Sequence, residues 1–196
     1  MCKIMTKKLT KEDQKLLLNI ARSALEEKLS GTQSRLPDLK QFPDLLRQPG
    51  ACFCTLKHSG KLRGCVGSLE AVQPLVLEVR ERALGAAFED FRFPPLTREE
   101  LPELVIEISR LTAHQNLEFS SPDSLLEKLR PGKDGVVLSY RERKATFLPQ
   151  VWEQLSEPEQ FLSRLCLKMG LSGSAWQEVP LEVKIYEVEK FSESDN

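Results

Sequence analysis

The chain has 196 residues, enough to bury a substantial core in one domain or two closely packed lobes without a disulfide scaffold. Its 28 lysines and arginines against 29 aspartates and glutamates leave a net charge of -1, so no bulk electrostatic attraction to nucleic acid or membrane is expected. The five cysteines, at positions 2, 52, 54, 65 and 166, form an irregular odd set that reads as reduced thiols, and no apolar run is long enough to cross a bilayer; the expectation is a cytoplasmic protein.

Residues 10 to 29 have the pattern of an amphipathic helix, with Thr10 able to cap it, Asp13 three positions on, and Leu16, Leu17, Ile20, Ala21, Ala24 and Leu25 at helical spacing. Gly31 is its stop signal. The stretch to Gly50 is interrupted by Pro37, Pro43 and Pro49 and allows only short helical or extended pieces. Two strands follow, Ala51 to Lys57 and Lys61 to Ser68, joined through His58, Ser59 and Gly60. Pro74 suits the first turn of a helix to about Glu89 with a small-residue face of Val76, Val79, Ala83 and Ala86.

Beyond the proline-stiffened segment Phe91 to Pro95, a strand is expected at Leu104 to Leu111, a short helix near Ser124 to Leu129, and a strand pair at Val136 to Tyr140 and up to Phe147. Ser156 and Glu159 have capping-box spacing for a helix through Met169, ended by Gly170. Val179, Leu181, Val183 and Ile185 then alternate with polar residues. Strands in pairs, without a regular strand-helix-strand repeat, predict an α+β fold of largely antiparallel sheets packed with helices.

Leu62-Arg63-Gly64-Cys65-Val66-Gly67 carries the strongest chemical signal. On a regular strand Arg63, Cys65 and Gly67 share one face, and a nearby guanidinium favours the reactive thiolate. The plain alternative is a cysteine packed as a small hydrophobe. In Glu89-Asp90-Phe91-Arg92-Phe93-Pro94-Pro95 a stiff connection holds an acid and a base, suited to a binding loop or to a rigid linker in which Asp90 and Arg92 pair. Glu107 and Ser109 share a strand face that either meets solvent or walls a pocket. Cys52, Cys54 and His58 lack the ligand spacing of structural zinc, so no metal is expected. Phosphate-loop, dinucleotide and nucleophile-elbow motifs are absent from the sequence.

Taken in order, several motifs resemble the AMMECR-one family, in its prokaryotic branch called AmmeMemoRadiSam system protein A. They are Leu62 to Gly67, Phe91 to Thr97 with Glu100-Leu101-Pro102, Glu107-Ile108-Ser109, Gly132 to Val136, Thr146 to Trp152, and Phe161-Leu162 with Lys168 to Leu171 and Trp176. Val66 stands where isoleucine is usual, and Met169 where alanine is common. The resemblance implies a larger and a smaller lobe within residues 10 to 191, flanked by tails at 1 to 9 and 192 to 196. It also implies association with a Memo-like protein and a radical SAM enzyme, whose iron-sulfur cluster would belong to that enzyme; no cofactor of this chain's own is expected.

Two functional expectations follow. One is a binding or accessory component using a groove between the Arg63 to Gly67 strand and the Asp90 to Pro95 loop, with Arg63 and Arg92 as donors and Gly64, Gly67, Asp90, Glu107 and Ser109 around it. The other is an enzyme with Cys65 as nucleophile, Asp90 or Glu107 moving protons and glycine N–H groups holding an oxyanion.

Overall fold

The computed structural model describes residues 8–32 and 38–195. Pro37, Cys2 and most of the expected N-terminal tail therefore lie outside the described residues. The chain divides into two compact units, one reaching from the N-terminus to Leu111 and resuming at Glu189, the other Thr112–Val188.

Unit 1 begins with helix α1 (Lys11–Ser30), whose Thr10–Asp13 capping box is formed in both directions and whose C-cap Gly31 has φ 73°. A short helix α2 (Asp44–Arg47) precedes strands β1 (Ala51–His58) and β2 (Lys61–Gly67). The hairpin turn is two residues long, Ser59 at φ 50° and Gly60 at φ 77°, the left-handed pair that suits the twist of the flanking strands. His58 accordingly belongs to β1, opposite Lys61. Helix α3 (Leu75–Phe88) is followed by β3 (Leu104–Leu111), with the ends expected from its alternation.

Unit 2 contains β4 (Gln115–Asn116), α4 (Pro122–Lys128), β5 (Gly135–Tyr140), β6 (Arg143–Phe147), α5 (Pro158–Lys168), α6 (Ala175–Glu178) and β7 (Glu182–Tyr186). Strand β8 (Val188–Ser192) carries the chain back into unit 1. The sheets have the orders β2-β1-β3-β8 and β4-β7-β5-β6, and β1 is antiparallel to both β2 and β3, as β5 is to β6 and β7. The α+β class is as expected.

In unit 1 one sheet face packs on helices. Cys52, Cys54 and Leu56 of β1 and Ile106 and Ile108 of β3 are fully buried with Leu17, Leu25, Val76, Val79 and Ala83 in one apolar core. The cysteines at 52 and 54 are thus core residues, and burial pushes both thiols well above their ordinary range. Unit 2 has its own core, where Trp152 stacks on Phe161 at 3.7 Å and donates Nε1–H to Asp134 O at 2.7 Å.

Helix α5 departs from its expected start. Ser156 does not cap it; the N-cap is Glu157 without a side-chain bond, because Pro158 fixes the first helical φ one turn position later. Its stop is as expected, with Gly170 at φ 78°. The stretch from residue 192, expected as a tail, is tied down through Asp195. Glu193 accepts Arg22 Nε at 3.0 Å and the Ile106 N–H at 2.8 Å, and Asp195 accepts the Ser192 N–H at 2.8 Å.

Candidate functional site at the edge of the first sheet

Strand β2 is the free edge of the first sheet, and both glycines in its motif are demanded by packing. A Cβ on Gly64 would lie 2.0 Å from the carbonyl oxygen of Ala86 in α3, and one on Gly67 would lie 2.4 Å from the Phe53 ring. Gly64 lets the strand lie directly on the helix backbone, and Gly67 makes room for an aromatic ring from β1. Neither is left over to cradle a ligand from the packed side.

Regular alternation fails at Arg63. Leu56 pairs with Gly64 and Lys57 with Leu62, so Arg63 is the extra residue of a β-bulge. The bulge re-aims its side chain to the segment after α3. Arg63 Nε and Nη2 meet Glu100 Oε1 and Oε2 at 2.6 and 3.1 Å, and Nη2 donates to Pro94 O at 2.9 Å. Its charge is matched by Glu100, whose carboxyl is held down at about 2 by that hydrogen bond despite opposing burial. Arg63 is buried and committed internally rather than standing as a free donor beside the thiol.

Asp90 is buried and joins the 90–95 loop to the motif. Oδ2 accepts the Cys65 N–H at 2.8 Å and Arg92 Nη2 at 2.7 Å; Oδ1 accepts Arg92 Nε at 2.9 Å and the Arg92 N–H at 3.2 Å. The Arg92 bonds first, then the backbone N–H groups, hold the Asp90 carboxyl well below the usual carboxylate range against the effect of burial. Arg92 Nη2 also donates to Cys65 O at 3.3 Å. Cys65 therefore has both outward backbone groups occupied, its N–H by a carboxylate and its C=O by a guanidinium. The expected groove between strand and loop is a closed junction, because the loop bonds directly to the strand at Cys65 and, through Pro94, at Arg63.

What the junction presents outward is Phe91, which is 96% exposed, with Leu62 on the strand at 46%. The loop around Phe91 is held inside as well as at its ends: Phe93 N–H donates to Asp90 O at 3.0 Å and Leu96 N–H to Ala87 O at 2.9 Å.

The Cys65 thiol is half-buried and accepts a hydrogen bond from Thr55 Oγ1 at 3.4 Å. Thr55 lies opposite Cys65 on one side and Glu107 on the other. Cys65 and Glu107 are consequently two strand spacings apart, about 10 Å between backbones, with Thr55 between them. Glu107 is also occupied, with Lys57 and Lys190 Nζ each at 2.9 Å from a different oxygen. Burial pushes its carboxyl up, but the two lysines outweigh it and keep it below its ordinary value. Ser109 falls in the next row, opposite Phe53, which in turn faces Gly67.

Thr55 and Glu100 are the residues that sequence reasoning missed. The hairpin register places Thr55 across from Cys65, and Thr97-x-x-Glu100 has capping-box spacing; Glu100 Oε2 does accept the Thr97 N–H, at 2.9 Å. Among the described residues no group of three or more His, Cys, Asp or Glu side chains is disposed to hold a metal, and no helix is long and apolar enough to cross a membrane.

An α+β chain with a glycine-packed edge strand clipped by an Asp-x-Arg loop is thereby defined, and comparison places it among known proteins. Residues 18–191 match the AMMECR1 family model, and the chain belongs to the AMMECR1 family. It is 34% identical to protein MJ0810 of Methanocaldococcus jannaschii over 94% of this chain and 92% of that protein. A Methanothermobacter thermautotrophicus protein is 37% identical over 94% and 96%. The crystal structure of uncharacterized protein PH0010 from Pyrococcus horikoshii has the same fold, with a TM-score of 0.72, 32% identity, and coverage of 91% of this chain and 90% of that one.

Proposed function

We propose that the chain is an intracellular binding or accessory component of the AmmeMemoRadiSam system protein A branch, acting with a Memo-like protein and a radical SAM enzyme. The observation that carries this reading is the presentation of Phe91. Isolated exposed apolar residues are common and mean little. Phe91 differs in being almost fully exposed on a loop clamped by Asp90 and by Arg63. An anchor on a preordered loop loses little backbone freedom on binding, and an aromatic beside an arginine is the composition of an interface hot spot.

The test is calorimetric titration of the intact chain with a purified Memo-like protein and, separately, a radical SAM protein. Phe91→Ala is expected to weaken the interaction roughly 30-fold, the effect of losing one hot-spot anchor. Unchanged affinity in Phe91→Ala, or no binding by the wild type to either protein, overturns the proposal.

A second reading, a cysteine-dependent enzyme with Cys65 as nucleophile, draws support from the Thr55 hydroxyl donating to the thiol. Against it stand the Cys65 N–H already given to Asp90 and an Asp90 carboxylate with both oxygens engaged. Alkylation of Cys65 followed against pH tests it: titration near the free-cysteine value of about 8.5 counts against an activated nucleophile.

A further inference from the structure

We infer that Glu100 is the positioning residue of the Phe91 loop, an inference that rests on the binding reading above. Asp90 fixes the first end of the loop on Cys65. The other end depends on Arg63, which holds Pro94 O while its side chain is only 10% exposed. A buried guanidinium keeps such a place only with an anion beside it. Glu100 is that anion, bonded to both Nε and Nη2, whereas Nη1 is buried without a hydrogen-bond partner. No second carboxylate stands in for it on Arg63 among the bonds that the described residues make.

The Phe93 ring completes the link. Arg63 Cζ is 6.0 Å and Arg92 Cζ 5.5 Å from its centroid, both within the range of cation–π attraction. A continuous series of alternating groups thus runs from the Glu100 carboxylate through the Arg63 guanidinium, the Phe93 ring, the Arg92 guanidinium and the Asp90 carboxylate to the backbone of Cys65. Glu100 also accepts the Thr97 N–H, so the same carboxylate fixes the chain leaving the loop. Phe91 sits on the outside of this series, and the backbone that presents it is held by the whole of it. Losing the charge at Glu100 frees Arg63 from its place and releases Pro94, while the Asp90 end stays on the strand.

The experiment combines amide hydrogen exchange with binding to the purified Memo-like protein, using Glu100→Gln, which keeps shape and loses charge. Exchange at Phe93 and Thr97 is expected to rise roughly tenfold, the equivalent of one charge-assisted hydrogen bond, with Leu56 and Ile108 in the sheet unchanged. Binding is expected to weaken in parallel, and Glu100→Asp, which keeps the charge, to lie closer to wild type than Glu100→Gln. Unchanged exchange at Phe93 and Thr97 in a folded Glu100→Gln protein overturns the inference, as does looser exchange with full affinity. Should the wild type bind no Memo-like protein while Glu100→Gln loosens the loop, the binding reading fails and the positioning role stands. If Glu100→Gln does not fold, the wild type decides: Phe93 and Thr97 amides that open together support the link, and independent openings overturn it.

Discussion

The Asp90 carboxylate accepts the backbone N–H of Cys65 at 2.8 Å, so a side chain occupies the place a neighbouring strand would take at the edge of the sheet. Arg92 completes the imitation by donating to the Cys65 carbonyl. Unpaired edges invite other chains, and this clip blunts the middle of the edge. Asp90→Ala is expected to cost roughly 2 kcal/mol, the penalty of leaving buried partners unsatisfied, and to increase concentration-dependent association. Urea unfolding and light scattering check the two effects.

Glu100 gives the first unit an acid-sensitive element. Its folded pKa, about 2, is depressed from the ordinary 4.5, so its stabilisation is fully present above about pH 4.5 and is lost as pH falls toward 2. The shift corresponds to on the order of 3 kcal/mol. Stability measured by denaturant unfolding between these pH values should fall less steeply in Glu100→Gln than in the wild type.

Gly64→Ala places a methyl group against the Ala86 carbonyl oxygen, a backbone atom that cannot rotate away. The expected cost is at least about 3 kcal/mol, at the upper end of overpacking effects. Phe91→Ser, in contrast, alters a side chain that touches little and should change stability by no more than about 0.5 kcal/mol. Thermal unfolding of the pair distinguishes a motif residue that builds the fold from a loop residue that does not.

Among the four cysteines of the described residues, thiol labelling should single out Cys65. Cys52, Cys54 and Cys166 are buried and their thiols are pushed up by burial, whereas Cys65 is half-buried. Iodoacetamide on the native protein, read by peptide mass spectrometry, is expected to modify Cys65 before these three buried thiols, which react only at the rate of unfolding.

Both tryptophans of the chain lie in unit 2, which makes their fluorescence a report on that unit. Asp134 is fully buried, bonded to the Arg130 backbone and guanidinium, and its carbonyl takes the Trp152 indole. Asp134→Ala should lower the fluorescence-monitored stability by about 2 kcal/mol, the cost of removing a buried carboxylate that accepts the Arg130 backbone N–H, with the half-exposed Arg130 guanidinium left to water.

Much of the architecture was legible because it depends on local signals. The alternation of Leu104, Ile106 and Ile108 located β3, and Gly31 and Gly170 ended their helices in the left-handed conformation that only glycine adopts cheaply. Thr10 with Asp13 formed the capping box that their spacing announced. Ser156 with Glu159 did not, since Pro158 imposed its own starting point. The candidate site was legible in its members more than in their roles. The motif named Arg63, Cys65, Asp90 and Arg92, but a period of two cannot foresee a bulge, and the bulge is what sends Arg63 to Glu100 instead of alongside the thiol. Likewise Asp90 engages the backbone of Cys65, a partner that side-chain chemistry does not reveal.

The return of β8 to the first unit has a bearing on how the protein is made. Leu111 emerges from a ribosome well before Glu189, separated by the whole of unit 2. At roughly 5–20 residues per second, the interval lasts several seconds. Throughout it β8 is missing from its place beside β3, and Arg22 lacks the Glu193 carboxylate that it bonds in the finished fold. Unit 2 can collapse around its tryptophans during translation, but unit 1 closes only after the second has been synthesised. The unit begun first is thus the unit completed last.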